Sequence, residues 1–101
     1  IEVDIEVTQG RITALAHRTR GCLLCEAAAS AMADQVVGRT LAEALAVCEH
    51  MESLMRGGAA PPSLAPFTPV AAHPNRHDCV SLPFRALTIA TRLAARDHLE
   101  P

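Results

Sequence analysis

The sequence predicts an α+β fold in which helices cover one face of an antiparallel β-sheet. Two patterns carry that expectation. The opening "IEVDIEVT" alternates apolar and charged residues, with Ile1, Val3, Ile5 and Val7 on one side and Glu2, Asp4 and Glu6 on the other; this is the period of a half-buried strand. Beyond residue 21, Ala-rich stretches repeat apolar residues at helical spacing between glycine stops and a capping motif.

Gln9-Gly10 is a turn-compatible pair, and "RITALAHR" after it places Ile12, Ala14 and Ala16 on one face, which completes a hairpin. Two strands alone are marginally stable, so the hairpin is expected to lie against helices or to pair with a strand upstream of Ile1. Residues 22–37 suit a helix closed by Gly38. "TLAE", Thr40 to Glu43, matches a capping box and opens a second helix ending at Gly57-Gly58, with Leu41, Leu45, Cys48, Met51 and Met55 as its core stripe. Residues 57–75 are rich in proline and predict a long loop with one short helical turn. The last helix is expected to start near Cys79, to tolerate Pro83 within its first turn, and to turn Leu82, Ala86, Ile89, Ala90 and Leu93 toward the core.

The 101 residues, half of them apolar, suit a single domain with one modest core. A net charge of −2 gives no electrostatic footprint for nucleic acid or an anionic membrane surface. No uncharged apolar run approaches the roughly 20 residues of a membrane span. The expectation is a soluble, cytoplasmic protein without nucleic-acid or membrane partners. In that reducing setting the four cysteines point to metal or sulfur chemistry before disulfides.

Cys22 and Cys79 each fall where a helix begins, and there unpaired N–H groups and the positive end of the helix dipole favour a thiolate. Cys25 lies one turn after Cys22 and suits either that side or the core. Cys48 interrupts an apolar stripe and reads as a small core residue. His17, His50 and His98 read as solvated, whereas His73 and His77 flank the last cysteine. Cys22-Leu23-Leu24-Cys25 resembles a redox dithiol but follows a hairpin rather than the first strand of a βαβ unit, and no second C-x-x-C completes a zinc knuckle pair. The remaining possibility is a site gathered from distant parts of the chain.

"GCLLCEAAASAMADQVVGRTLAEAL" and "HPNRHDCVSLPFRAL" resemble the Gly-Cys segment, its following helices, and the final cysteine with its C-terminal helix in the IscU/SufU/NifU-type iron–sulfur cluster scaffold proteins. The resemblance spans nearly the whole chain, and the Gly/Pro-rich loop before "PNRHDC" is closer to the SufU branch. It implies a carrier more than an enzyme. Such a protein takes persulfide sulfur from a cysteine desulfurase, binds zinc, iron or a transient [2Fe-2S] cluster, and passes it to apo iron–sulfur proteins. By the same resemblance, Cys22 and Cys79 match the second and third site cysteines. Cys79 is then the persulfide acceptor, and Arg76 matches an arginine three residues before it. Asp78 stands where relatives carry a metal-binding His or a Lys, which makes it a further candidate ligand. His77 is a candidate by its place beside the last cysteine; Cys25 stands where relatives have Ser or Ala, so it borrows no ligand role from the resemblance and is a candidate only by its place one turn after Cys22. A first cysteine, in a Cys-Gly-Asp motif, is expected upstream of Ile1, so the set within these residues lacks one Cys and one Asp. The alternatives are a small zinc-stabilised interaction module and a dithiol redox protein using Cys22 and Cys25.

Overall fold

A computed structural model describes residues 1–21 and 23–99. The elements run β1 (Glu2–Thr8), β2 (Arg11–Arg18), α1 (Leu23–Val36), α2 (Leu41–Met55), two 3₁₀ segments (Pro62–Ala72 and Pro74–Arg76) and α3 (His77–Leu99). The expected α+β arrangement is present: β1 and β2 form an antiparallel pair, and α3 packs against β1, α1 and α2.

Gln9 and Gly10 both adopt positive φ, 53° and 77°, the two-residue turn that matches strand twist. The predicted face of β2 is corrected by a bulge. Val7 pairs with Ile12 but Glu6 pairs with Ala14, leaving Thr13 as the extra residue. Its hydroxyl donates to the Glu6 carbonyl at 3.2 Å. Past the bulge the alternation flips, so half-buried Leu15 joins half-buried Val3 and Ile5 and fully buried Ile12 against the core, while Ala14 and Ala16 sit exposed opposite Glu6 and Asp4. The hairpin is further held by the turn between α1 and α2: Ile12 donates to the Arg39 carbonyl at 2.9 Å, and Gly38 donates to the Ile12 carbonyl at 2.7 Å.

Gly38, at φ 91°, ends α1 as expected. The capping box is formed on both sides: the Glu43 amide donates to Thr40 Oγ1 at 3.1 Å, and the Thr40 amide donates to Glu43 Oε1 at 2.9 Å. Thr40→Ala should cost about 1 kcal/mol of stability, read as a lowered denaturation midpoint. The backbone and side chain of Thr40 hold the Glu43 carboxyl below its usual range. A folded-state pKa below the unfolded one stabilises above the unfolded pKa and is lost as pH falls through the folded one. The stability gap between wild type and Glu43→Ala should therefore narrow in acid.

The proline-rich stretch is more ordered than the expected loop. Proline presets φ near the value a 3₁₀ turn needs, and three residues per turn align Leu64, Phe67 and Val70 on one side. Leu64 and Phe67 are buried and Val70 packs on the core. Gln35 Nε2 on α1 donates to the Ser63 carbonyl at 3.0 Å and ties the segment down.

α3 differs from expectation twice. It opens at His77, so Pro83 is buried in its second turn rather than lying in the first. There it brings no N–H to the Cys79 carbonyl four residues back. The inward stripe is Val80, Phe84, Leu87 and Thr91, all fully buried, while Leu82, Ile89 and Leu93 face solvent. Both stripes have helical spacing; the buried one carries Phe84, the bulkiest fully buried side chain.

Candidate functional site

The site residues expected from the sequence fall at the start of α3 and at the start of α1. Gly21, at φ 152°, takes a conformation that L side chains rarely adopt and turns the chain from the hairpin into α1. Side chains in a helix lean back toward its N-terminus. Cys25 does so: its Sγ lies 3.6 Å from where a side chain on Gly21 would begin. The thiol therefore faces the Gly21 turn instead of the core. Cys22 lies outside the described residues, and with it the expected convergence of Cys22 and Cys79 on one point.

Cys79 is the third residue of α3 and half-buried, in the first turn where backbone N–H groups gather. Arg76 is exposed at the end of the short 3₁₀ segment that feeds the helix. His77 is half-buried, and its Nε2 lies 2.9 Å from the Ala71 carbonyl. A carbonyl only accepts, so Nε2 carries the proton and donates, leaving Nδ1 as the nitrogen with a lone pair in the neutral ring. That bond fastens the long 3₁₀ segment to the helix start.

Asp78 is directed toward Arg85, two turns along α3, with Nη1 to Oδ1 at 3.5 Å. Arg85 reaches on to Glu52 of α2, Nε to Oε1 at 2.8 Å. This bond and the Glu52 charge push the guanidinium pKa up, with a smaller contribution from Asp78. The seven-residue spacing of Asp78 and Arg85 signals their shared helix face in the sequence. The link to Glu52 depends on how α2 and α3 pack, which no local pattern shows.

Chemically, this end of the fold offers a soft thiol, an imidazole and a carboxylate within three residues, beside a guanidinium at Arg76. Such donors suit zinc, iron or an iron–sulfur cluster better than magnesium or calcium. Among the described residues no three His, Cys, Asp or Glu side chains converge as a metal site. The donor types fit, but the described residues do not by themselves complete a ligand set.

Cys48 is a core residue, 3% exposed, as expected. Burial pushes its thiol pKa up, opposed by a hydrogen bond with Thr88 of α3. Cys48→Ala should leave metal content unchanged and cost about 1 kcal/mol in stability. Metal analysis and denaturation of the variant check both. His17 and His50 are exposed, as expected; the side chain of His98 lies outside the described residues.

Residues 1–73 match the family model of the NifU-like N-terminal domain. Among solved structures, the chain is 29% identical to the N-terminal part of a nitrogen-fixing NifU-like protein from Brucella abortus, with a TM-score of 0.86 over 93% of this chain and 69% of that one. It is 26% identical to a protein from Fervidobacterium islandicum assigned as an iron–sulfur cluster assembly scaffold for the SUF system, with a TM-score of 0.81 over 88% of this chain and 68% of that one. No curated protein matches the chain. No helix among the described residues is long and apolar enough to cross a membrane. A family match over most of the chain, together with the antiparallel hairpin and packed helices shared with these structures, settles the assignment: the chain belongs to the NifU-like N-terminal domain family, the IscU/SufU/NifU-type scaffolds of iron–sulfur cluster assembly.

Proposed function

We propose that this chain accepts sulfane sulfur on Cys79 from the persulfide of a cysteine desulfurase, holds zinc, iron or a transient [2Fe-2S] cluster with Cys22 and Cys79 among the ligands, and hands the cluster to apo iron–sulfur proteins of the cytoplasm. The observation that carries this reading is the placement of Cys79: half-buried rather than sealed in the core, in the first turn of a long helix, behind a 3₁₀ approach segment that ends in Arg76. Only an ionised sulfur is nucleophilic enough for the transfer. The Cys79 thiolate attacks the terminal sulfur of the donor persulfide, the donor S–S bond breaks, its cysteine leaves as thiolate, and the new persulfide is on Cys79. No external oxidant or reductant is needed. Arg76 offers a positive charge three residues away for the anionic sulfur.

Asp78 and His77 remain candidates for the non-thiolate position, His77 through Nδ1 because Nε2 is committed to Ala71. The proline-rich segment supports placement in the SufU branch. A zinc-stabilised module without sulfur transfer remains the plain alternative, and the turn of Cys25 toward Gly21 supports a third reading, a dithiol with Cys22. The test is anaerobic incubation of the chain with its natural flanking residues, with ferrous iron, cysteine and a desulfurase, followed by iron, zinc, acid-labile sulfide and sulfane analysis per chain. Bound iron and sulfide support the scaffold reading. Tightly held zinc with no sulfur uptake supports the zinc module and overturns sulfur acceptance.

A further inference from the structure

Asp78 and Cys79 are neighbours in the first turn of α3, yet they stand on different sides of it. One residue turns an α-helix by about 100°, whereas seven residues bring the chain back to nearly the same side. Asp78 therefore shares a flank with Arg85, and the two meet, Arg85 Nη1 to Asp78 Oδ1 at 3.5 Å. The guanidinium is itself anchored, because its Nε donates to Glu52 Oε1 on α2 at 2.8 Å. A cation fixed to a second helix thus holds the carboxylate on the side of α3 that carries Arg85, not the side that carries Cys79.

We infer that Arg85 is a positioning residue that competes with the metal for Asp78: the carboxylate joins Cys79 in holding zinc or iron only when it swings off Arg85. The inference rests on the proposed metal-holding function and names its non-thiolate ligand. Of the two candidates for that position, Asp78 is the one able to turn. It is exposed, and its contact with Arg85 is a 3.5 Å ion pair. The His77 ring is half-buried and fastened to the Ala71 carbonyl at 2.9 Å. A carboxylate oxygen is an ordinary zinc ligand, and its move from guanidinium to metal exchanges one cation for another without a proton. Arg85 stays on Glu52 during loading and is in place to take the carboxylate back. A carrier must give up what it holds, and a standing competitor for one ligand keeps that hold loose. The pair is exposed, so the competition is modest, about fivefold in metal affinity at the upper end for such pairs.

The test is a double-mutant cycle of Arg85→Met and Asp78→Asn in the chain with its natural flanking residues, with zinc affinity read by competition against a chromophoric chelator and the ligand set read from the visible absorption of the cobalt(II) form. Methionine keeps an apolar stem at position 85 without the charge. Arg85→Met should tighten zinc binding by about fivefold and leave the cobalt spectrum at saturation as in wild type, since Asp78 is bound in both. Asp78→Asn should weaken zinc binding and change the spectrum, and in that background Arg85→Met should have no further effect. Arg85→Lys, which retains the charge, should lie closer to wild type than to Arg85→Met. Tightening of the same size in both backgrounds overturns the proposal, because it would reflect the loss of any nearby positive charge. So does an Arg85→Met variant that binds zinc as wild type does, or an Asp78→Asn variant with wild-type affinity and spectrum. Zinc binding by none of the four proteins overturns the metal-holding function itself, a result distinct from failure of the cycle.

Discussion

Cys79→Ser, made in the chain with its natural flanking residues, is expected to abolish sulfane uptake from a cysteine desulfurase and to remove most bound metal, while Cys25→Ser keeps both near wild type. Serine preserves the shape of the thiol but not its nucleophilicity or its softness toward zinc and iron. At Cys79 those properties meet a helix start, a neighbouring Arg76 and partial access to solvent. Cys25 also lies in a first helical turn, but its thiol packs back on Gly21. The measurement is protein-bound sulfane by cyanolysis and metal by mass spectrometry after desalting. The reverse result, uptake kept in Cys79→Ser and lost in Cys25→Ser, would replace the scaffold chemistry of this site with that of a Cys22–Cys25 dithiol.

Local rules read most of the fold correctly because most of it is set locally. The hairpin turn, the Gly38 stop and the Thr40–Glu43 box each depend on residues within a few positions, and each is formed. The face of β2 beyond Ile12 was not legible. One extra residue at Thr13 reverses every later side chain, and nothing in "RITALAHR" marks which position bulges. The proline-rich segment hid its order for a different reason: its period of three belongs to 3₁₀ geometry and matches neither a strand nor an α-helix. At the site, the grouping of Arg76, His77, Asp78 and Cys79 follows from sequence adjacency. The engagement of Asp78 through Arg85 with Glu52, and of His77 with the Ala71 carbonyl, comes from tertiary packing that adjacency cannot supply.

The second large effect is expected at Phe84, and it decides which face of α3 is the core. Phe84 is fully buried, and α3 is the element that packs on α1, α2 and β1 together. Truncating it to alanine removes the transfer free energy of the ring and leaves a cavity that neighbours on several elements cannot all collapse to fill. The cost should be about 3–5 kcal/mol, a large part of the roughly 5–15 kcal/mol that stabilises a domain. Leu93→Ala removes a side chain of comparable hydrophobicity at the spacing the sequence alone favours for the core. Because Leu93 is 54% exposed, that variant should stay within about 0.5 kcal/mol of wild type. Urea denaturation of the two variants, compared by midpoint at constant slope, separates the alternatives. A small loss at Phe84 with a large one at Leu93 would rotate α3 about its axis and turn Leu82, Ile89 and Leu93 inward. The expected order, a large loss at Phe84 and almost none at Leu93, fixes Cys79 to a helix anchored by Val80, Phe84 and Leu87. A thiol on so firmly held a first turn keeps a constant position.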